Sequence, residues 1–264
     1  MIGLIAVQTL KNSVKDKIFW LIVSLIVVFA VVPFFSSFSM RQVQEVSITM
    51  SLTLNSTILL FLAVFGGVAT VWRDIERKYV YTVLGNPVSR TSFIIGRFAG
   101  FAVIMLILML LNIVFSFIVI NISAAMYESA LPILWGNILT AFCFQYLKYL
   151  LVMAFGFLFS SFSTSFFVPF FATVAVYIAG NASQGIYEYV LQKAAADYSA
   201  FFEIVVKGVY YILPNFSGLD FVANATYALD IALTDVIFSF CYFLIYFTLI
   251  FSLTLIIFNK RDFT

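Results

Sequence analysis

Histidine is absent from the 264 residues. Its absence removes a frequent metal ligand and the side chain that titrates near neutral pH, and it rules out any histidine-based catalytic site. Cysteine is scarce. Cys143 and Cys241 both sit inside apolar runs, so no structural disulfide is expected and both thiols read as small buried hydrophobes. Charged residues make up only 10% of the chain, too few to cover a water-soluble domain of ordinary composition. Neither G-x-x-x-x-G-K-[ST] nor G-x-G-x-x-G occurs, so the chain lacks these phosphate-cradling loops. It also lacks a nucleophile with base and orienter, and carboxylates at metal-ligand spacing on one helix face. The expectation is a protein that is not an enzyme by itself, binds no cofactor or metal directly, and has no nucleic-acid partner.

What is present is apolar. Hydrophobic residues account for 64% of the chain and the mean hydropathy is +1.10. Recurrent long apolar runs predict an all-α, polytopic helical membrane protein forming one domain over 1–264. Six spans are expected, near 18–38, 51–72, 98–120, within 134–162, from 166 to about 179 (short for a crossing unless it continues toward Tyr187), and 236–258. Residues 1–17 place Val7, Leu10, Val14 and Ile18 on one face and Lys11, Lys15 and Lys17 on others, the pattern of an interfacial helix feeding the first span. Arg41 and Glu45 fall in a short loop after that span, and 121–135 forms another short loop. The fourth apolar run is longer than one crossing and contains Lys148. Two readings stay open there: an interfacial helix from Ile133 to about Gln145 ahead of a shorter span, or one long helix holding Lys148 within the bilayer. Residues 180–235 carry six acids, and 186–198 and 199–213 read as two amphipathic helices at the membrane surface.

Ten of the fourteen basic residues fall in 1–17, 73–97 and the C-terminal segment, and three in the loops assigned to the other side. This bias places both termini in the cytoplasm and 180–235 outside a plasma (inner) membrane. Within the polar island 73–97, Ile75, Tyr79, Val80, Val83 and Leu84 recur at helical spacing, and Gly85-Asn86-Pro87 predicts the helix end. A loop this short has no core for that apolar face, so the helix needs a partner.

The same island carries a resemblance. Glu76-Arg77, then Pro87-Val88-Ser89-Arg90, then Phe93-Ile94-Ile95-Gly96-Arg97 resembles the cytoplasmic loop of ABC-2 type permeases, the membrane subunits of ABC transporters. Lys78 and Tyr79 stand where Gly-Thr is usual in that family, and Arg97 replaces Lys. Leu-Phe-Ser-Ser-Phe-Ser-Thr-Ser before span five, Leu213-Pro214-Asn215-Phe216 before the last span, and the ending Phe258-Asn259-Lys260-Arg261-Asp262 are similar to family segments too. The resemblance implies a permease subunit, usually homodimeric, that moves a substrate mostly outward. The energy comes from ATP, with Mg²⁺, hydrolysed on two separate cytoplasmic ATPase subunits. It also implies an elbow helix at 1–17, an ATPase-coupling loop at 73–97 and room for an accessory protein on the outer face. The subgroup linked to copper-enzyme maturation, or to natural-product and lipid export, is the nearest in pattern. Glu76, Arg77, Tyr79, Val80, Val83, Leu84 and Arg90 are the candidate coupling residues.

Lys148 reads either as an interfacial lysine or as a cavity-facing cation that meets an anionic substrate or a carboxylate. Asn55 and Asn112 read either as helix–helix hydrogen-bonding groups or as pathway residues. Spans two and five line the central path in ABC-2 permeases, which adds Phe167 and Phe170 as candidates for the substrate pathway. Two rivals remain: a non-transporting membrane anchor of a surface or enzyme-maturation machine, and an integral membrane enzyme acting on lipid.

Overall fold

A computed structural model describes residues 2–15, 19–20, 24–39, 41–76, 89–127, 129, 131–193, 204, 206–208, 210–211 and 213–261. The described residues are helical, with no strand among them. α1 (Ile2–Val14) is followed by a 3₁₀ run (Leu25–Val31) leading into α2 (Val32–Ser37), where Pro33 takes the first turn and its missing N–H costs nothing. α3 (Val43–Phe61) passes through a π turn (Leu62–Gly67) into α4 (Val68–Glu76). Then come α5 (Arg90–Met126), α6 (Trp135–Phe162), α7 (Phe167–Lys193), a 3₁₀ turn (Phe216–Leu219), α8 (Val222–Thr226) and α9 (Leu233–Lys260).

Four helices among the described residues are long and apolar enough to cross a membrane: Val43–Asp74, Arg90–Met126, Trp135–Phe162 and Leu233–Lys260. Two of the six expected spans differ from that description. The first is described only in part: a shorter apolar helix, Leu25–Ser37, falls in it, and 18 and 21–23 lie outside the described residues. The fifth does not stop near 179. It takes the longer course, as α7 to Lys193, so 186–193 belongs to that helix and is not a separate surface helix; α7 is not among the four helices apolar enough to cross. Residues 194–203 of the two predicted amphipathic helices lie outside the described residues.

Other boundaries shift for local reasons. The hydroxyl of Ser89 accepts the N–H of Ser92, so α5 starts at Arg90 and not near 98, and it runs on to Met126 through the expected loop. At 37 residues it is about 55 Å long, well beyond the ~30 Å hydrocarbon layer. Glu45 is not in a loop. It lies in the first turn of α3, buried, and accepts a hydrogen bond from Ser129 at 2.5 Å. α6 is unbroken from Trp135 to Phe162, which selects the single long helix.

α6 is the centre of the bundle, with Ile138, Phe142, Tyr149, Leu151, Met153 and Phe157 all buried. Gly67 lets the π turn pack closely on α6, and Gly66 lets it pack closely on α5. A Cβ on Gly66 would stand 2.8 Å from the Phe101 ring, and one on Gly67 2.9 Å from Met153 Cγ. On the far side of α6, Phe98 stacks with Phe157, Phe247 and Phe251 and joins α5, α6 and α9. The outer flanks of α5 and α9 are apolar and exposed, with Ile107, Leu110, Val114, Phe238, Ile245 and Leu249 facing outward, as lipid contact requires. Cys143 and Cys241 belong to that outer surface. Both are free and exposed, not buried hydrophobes, because each falls on the side of its helix away from the bundle.

Candidate functional site

Two polar constellations interrupt the apolar bundle. The first lies where 73–97 leaves it. The guanidinium of Arg97, on a side chain only 4% exposed, donates from Nη2 to Asp74 Oδ1 at 2.9 Å, with Nε 2.8 Å from Oδ2. Nη1 donates to Thr9 Oγ1 at 3.2 Å, and Thr9 in turn donates to the Ile5 carbonyl. Gly96 and Gly100 make this contact possible. They form a Gly-x-x-x-Gly face on which α1 lies so closely that a Cβ would come 2.7 Å from Ile5 Cβ or 2.6 Å from Thr9 Cβ. The packed face of α1 is therefore Ile5 and Thr9, while Val7 points outward. Val14's side chain and Ile18, expected beside Val7, lie outside the described residues.

Two more arginines secure the same end. Arg90 Nη1 donates to the carbonyls of Asn259 (3.0 Å) and Arg261 (2.8 Å). Arg261 reaches the carbonyls of Ser160, Ser161 and Ser163 at 2.9–3.2 Å. The last carbonyls of α6 and α9 thus find cations in place of absent intrahelical partners, in the favourable direction of the helix dipole. The Ser-rich turn, the first residue of α5 and the chain's last described residue form one connected set.

The second constellation crosses the middle of the bundle. Asn112 of α5 donates to Asn55 Oδ1 of α3 at 2.9 Å, and Asn55 donates to Gln145 Oε1 of α6 at 2.8 Å. Both asparagines are 0% exposed. One turn along, Ser56 hydrogen-bonds to Tyr149, whose hydroxyl is 3.4 Å from that of Tyr177 on α7. Lys148, 4% exposed, has Nζ 3.7 Å from Asp220 Oδ2 and about 6 Å from the ring centres of Tyr149 and Tyr177. It is about 20 Å along α6 from either end, where a lone charge costs roughly 2.5–3.5 kcal/mol on insertion scales.

Asp220 reaches that depth because residues 213–229 fold into the bundle. Phe216, Leu219, Phe221 and Ala225 are buried, and Phe221 lies 4.7 Å from Phe144 on α6. Nearer the end of α6, Asn137 donates to the Leu229 carbonyl at 2.8 Å. The Leu213-Pro214-Asn215-Phe216 stretch seats against Gly180 of α7, where a Cβ would meet both the Phe216 ring and the Pro214 carbonyl at 2.6 Å. Asn215 binds Gln184 through Nδ2 and caps the next turn through Oδ1, and its own N–H goes to Tyr242.

The sequence-predicted residues separate into three groups. Asn55, Asn112 and Lys148 come together in the middle layer. Glu76 ends α4 on an exposed turn and Arg90 opens α5, but Arg77, Tyr79, Val80, Val83 and Leu84 lie outside the described residues. Phe167 is 66% exposed on the outside of α7, and Phe170 stacks on Phe65 of the π turn at 5.1 Å, apart from the amides. Sequence reasoning missed Gln145 and Asp220. Gln145 had a signal: it stands three residues before Lys148 on one face of one helix. Asp220 had only the rule that an intramembrane lysine needs a partner.

Amides, hydroxyls and an ion pair can hold a polar group or an ion by hydrogen bonding, and they do not assemble a nucleophile with its base. Among the described residues no three His, Cys, Asp or Glu converge as metal ligands. No curated protein sequence matches the chain. A family model described as ABC-2 family transporter protein matches residues 4–263, so the chain belongs to the ABC-2 family as a membrane permease component of an ABC transporter.

Proposed function

We propose that the chain is one of two identical permease subunits that carry a substrate outward across the plasma membrane, driven by ATP and Mg²⁺ on two cytoplasmic ATPase subunits. The basic end, with Arg90, Arg97, Lys260 and Arg261, faces the cytoplasm, as the positive-inside rule requires. The segment between Asp74 and Arg97 carries the coupling helix, 75–84. The observation that most supports this reading is the Arg97 clamp: Asp74 before the loop, Arg97 after it and Thr9 of α1 are joined by one guanidinium. A push on the loop therefore reaches α1, α4 and α5 together instead of dissipating in one hinge.

The test is a double substitution on the apolar face of the proposed coupling helix, Val80→Asp with Leu84→Asp. Each apolar side chain fully buried at an interface contributes roughly 1.5–3 kcal/mol, so two acids there should reduce ATPase co-purification by well over tenfold. Membrane insertion and permease self-association should be unchanged. Full co-purification with intact transport would place the docking surface elsewhere.

A further inference from the structure

We propose that Lys148 is a binding site for an anionic group, a carboxylate or phosphate, at the foot of a water-filled recess, with Asp220 as its resident and displaceable counter-ion. The recess follows from depth. Asp220 lies beside the midpoint of α6, on non-helical backbone between the turn Phe216–Leu219 and α8, yet its side chain is 43% exposed. Non-helical backbone and a carboxylate survive at membrane depth only against protein or water, and the exposed part of Asp220 rests on no protein atom of its own chain. A second permease subunit or water must cover that part, and we assign it to water, reaching the middle of the bundle along 213–229 from the end opposite the arginines.

The ligand class follows from the asymmetry of the pair. The cation is sequestered, with 5% of its side chain exposed, and is the fixed member. Its 3.7 Å separation from Asp220 exceeds a direct hydrogen bond, so the ammonium is incompletely satisfied by its partner. Asp220 is the replaceable member, because its other oxygen, Oδ1, accepts the N–H of Val222 at 3.0 Å. Displaced from Lys148, it keeps that hydrogen bond and its water. An arriving anion would find the ammonium over the rings of Tyr149 and Tyr177, about 6 Å from their centres. The proposal deepens the permease reading by naming the class of cargo, and it rests on that reading only for the anion being cargo.

The test uses the full chain in nanodiscs with Cys143→Ser and Cys241→Ser, without any ATPase. Asp220→Cys is treated with impermeant thiosulfonate reagents of opposite charge. Relative to each reagent's rate with a free thiol, the anionic reagent should react about tenfold faster than the cationic one, the scale of a single screened charge, and Lys148→Met should erase the difference. An unreactive cysteine in monodisperse protein overturns the recess, and a preference unchanged by Lys148→Met overturns the anion site. If Asp220→Cys does not fold, Val222→Cys with Asp220 retained takes its place, probed by a neutral impermeant maleimide. Inorganic phosphate in zwitterionic lipid should slow that reaction severalfold only when Lys148 is present. Protection by phosphatidic acid in the disc, and not by free phosphate, identifies the anion as a lipid headgroup. Protection by neither overturns the proposal. Because no ATPase is present, a flat result here leaves the Val80/Leu84 experiment standing, and failure of that experiment leaves this one standing.

Discussion

At the basic end of the bundle, three guanidiniums are each bonded to another part of the chain: Arg97 to Asp74 and Thr9, Arg90 to the end of α9, Arg261 to the end of α6. In the middle layer the bonding is done by neutral groups, Asn112 to Asn55 to Gln145 and Ser56 to Tyr149, with one ion pair whose carboxylate is partly exposed. The contrast follows the solvent. Near the membrane surface a planar five-donor cation can satisfy several carbonyls at modest desolvation cost, and so it serves as a rigid clamp. At mid-depth the same charge is expensive, so helices are joined by amides whose net contribution is small and whose exchange is easy. The comparison predicts a stiff end that transmits motion and a softer middle that can rearrange.

The largest expected effect breaks the stiff end. Arg97→Ala leaves Asp74 nearly buried beside α1 without its guanidinium, and stranding one member of a buried pair costs about 3–5 kcal/mol. Thermal unfolding of the detergent-solubilised chain should show a large drop. Arg97→Ala with Asp74→Ala should recover part of it, since no lone charge is left. A double variant no more stable than the single one would mean that packing, not charge, holds this end.

The second effect separates α1 without touching a charge. Gly100→Leu drives a side chain into Thr9 and the Ala6 carbonyl, 2.6 and 2.9 Å from where a Cβ would stand, and both are rigid neighbours. Overpacking of this kind costs about 1–3 kcal/mol. Here the loss should appear as protease sensitivity of Ile2–Val14 before any loss of the bundle. Equal resistance in both proteins would detach α1 from the clamp.

These two regions were unequally legible in the sequence. Long apolar runs announced α5, α6 and α9, because the hydrophobic transfer of twenty or so residues outweighs any local preference. Their ends were less visible. Hydropathy reports the thickness of the hydrocarbon, whereas α5 starts at a Ser89 cap nine residues before its apolar run. The arginines of the basic end stood out as charge, but not as clamps, since Gly96 and Gly100 acquire meaning only once α1 lies on them. The fold of 213–229 into the bundle was hidden, because its burial depends on Gly180 and Phe144, remote in sequence. Asp220 therefore looked like one more of six surface acids. Phe167 and Phe170 show the reverse case: position in a span is readable, but the side of the helix facing the bundle is set by neighbours.

The smallest effect sharpens the comparison within the middle layer, where two asparagines that look alike in sequence differ in what they do. Asn55 is the hub: it accepts from Asn112 and donates to Gln145, and it lies between α5 and α6. Asn55→Leu therefore removes two hydrogen bonds and strands the amide N–H of Asn112 and the Oε1 of Gln145. Asn112 makes one of these bonds, and its own Oδ1 is buried with no partner in the bundle. Asn112→Leu removes that unsatisfied acceptor but leaves the buried Asn55 Oδ1 without its donor in exchange, so the net loss is one hydrogen bond. Interhelical hydrogen bonds in membranes average ~0.6 kcal/mol and reach ~1.7, which sets the scale. Asn55→Leu should fall near the upper figure and Asn112→Leu near the lower one, read as unfolding midpoints in the same detergent. If the two variants are equally destabilised, the layer does not work through a hub, and Asn112 must hold α5 by contacts other than its amide.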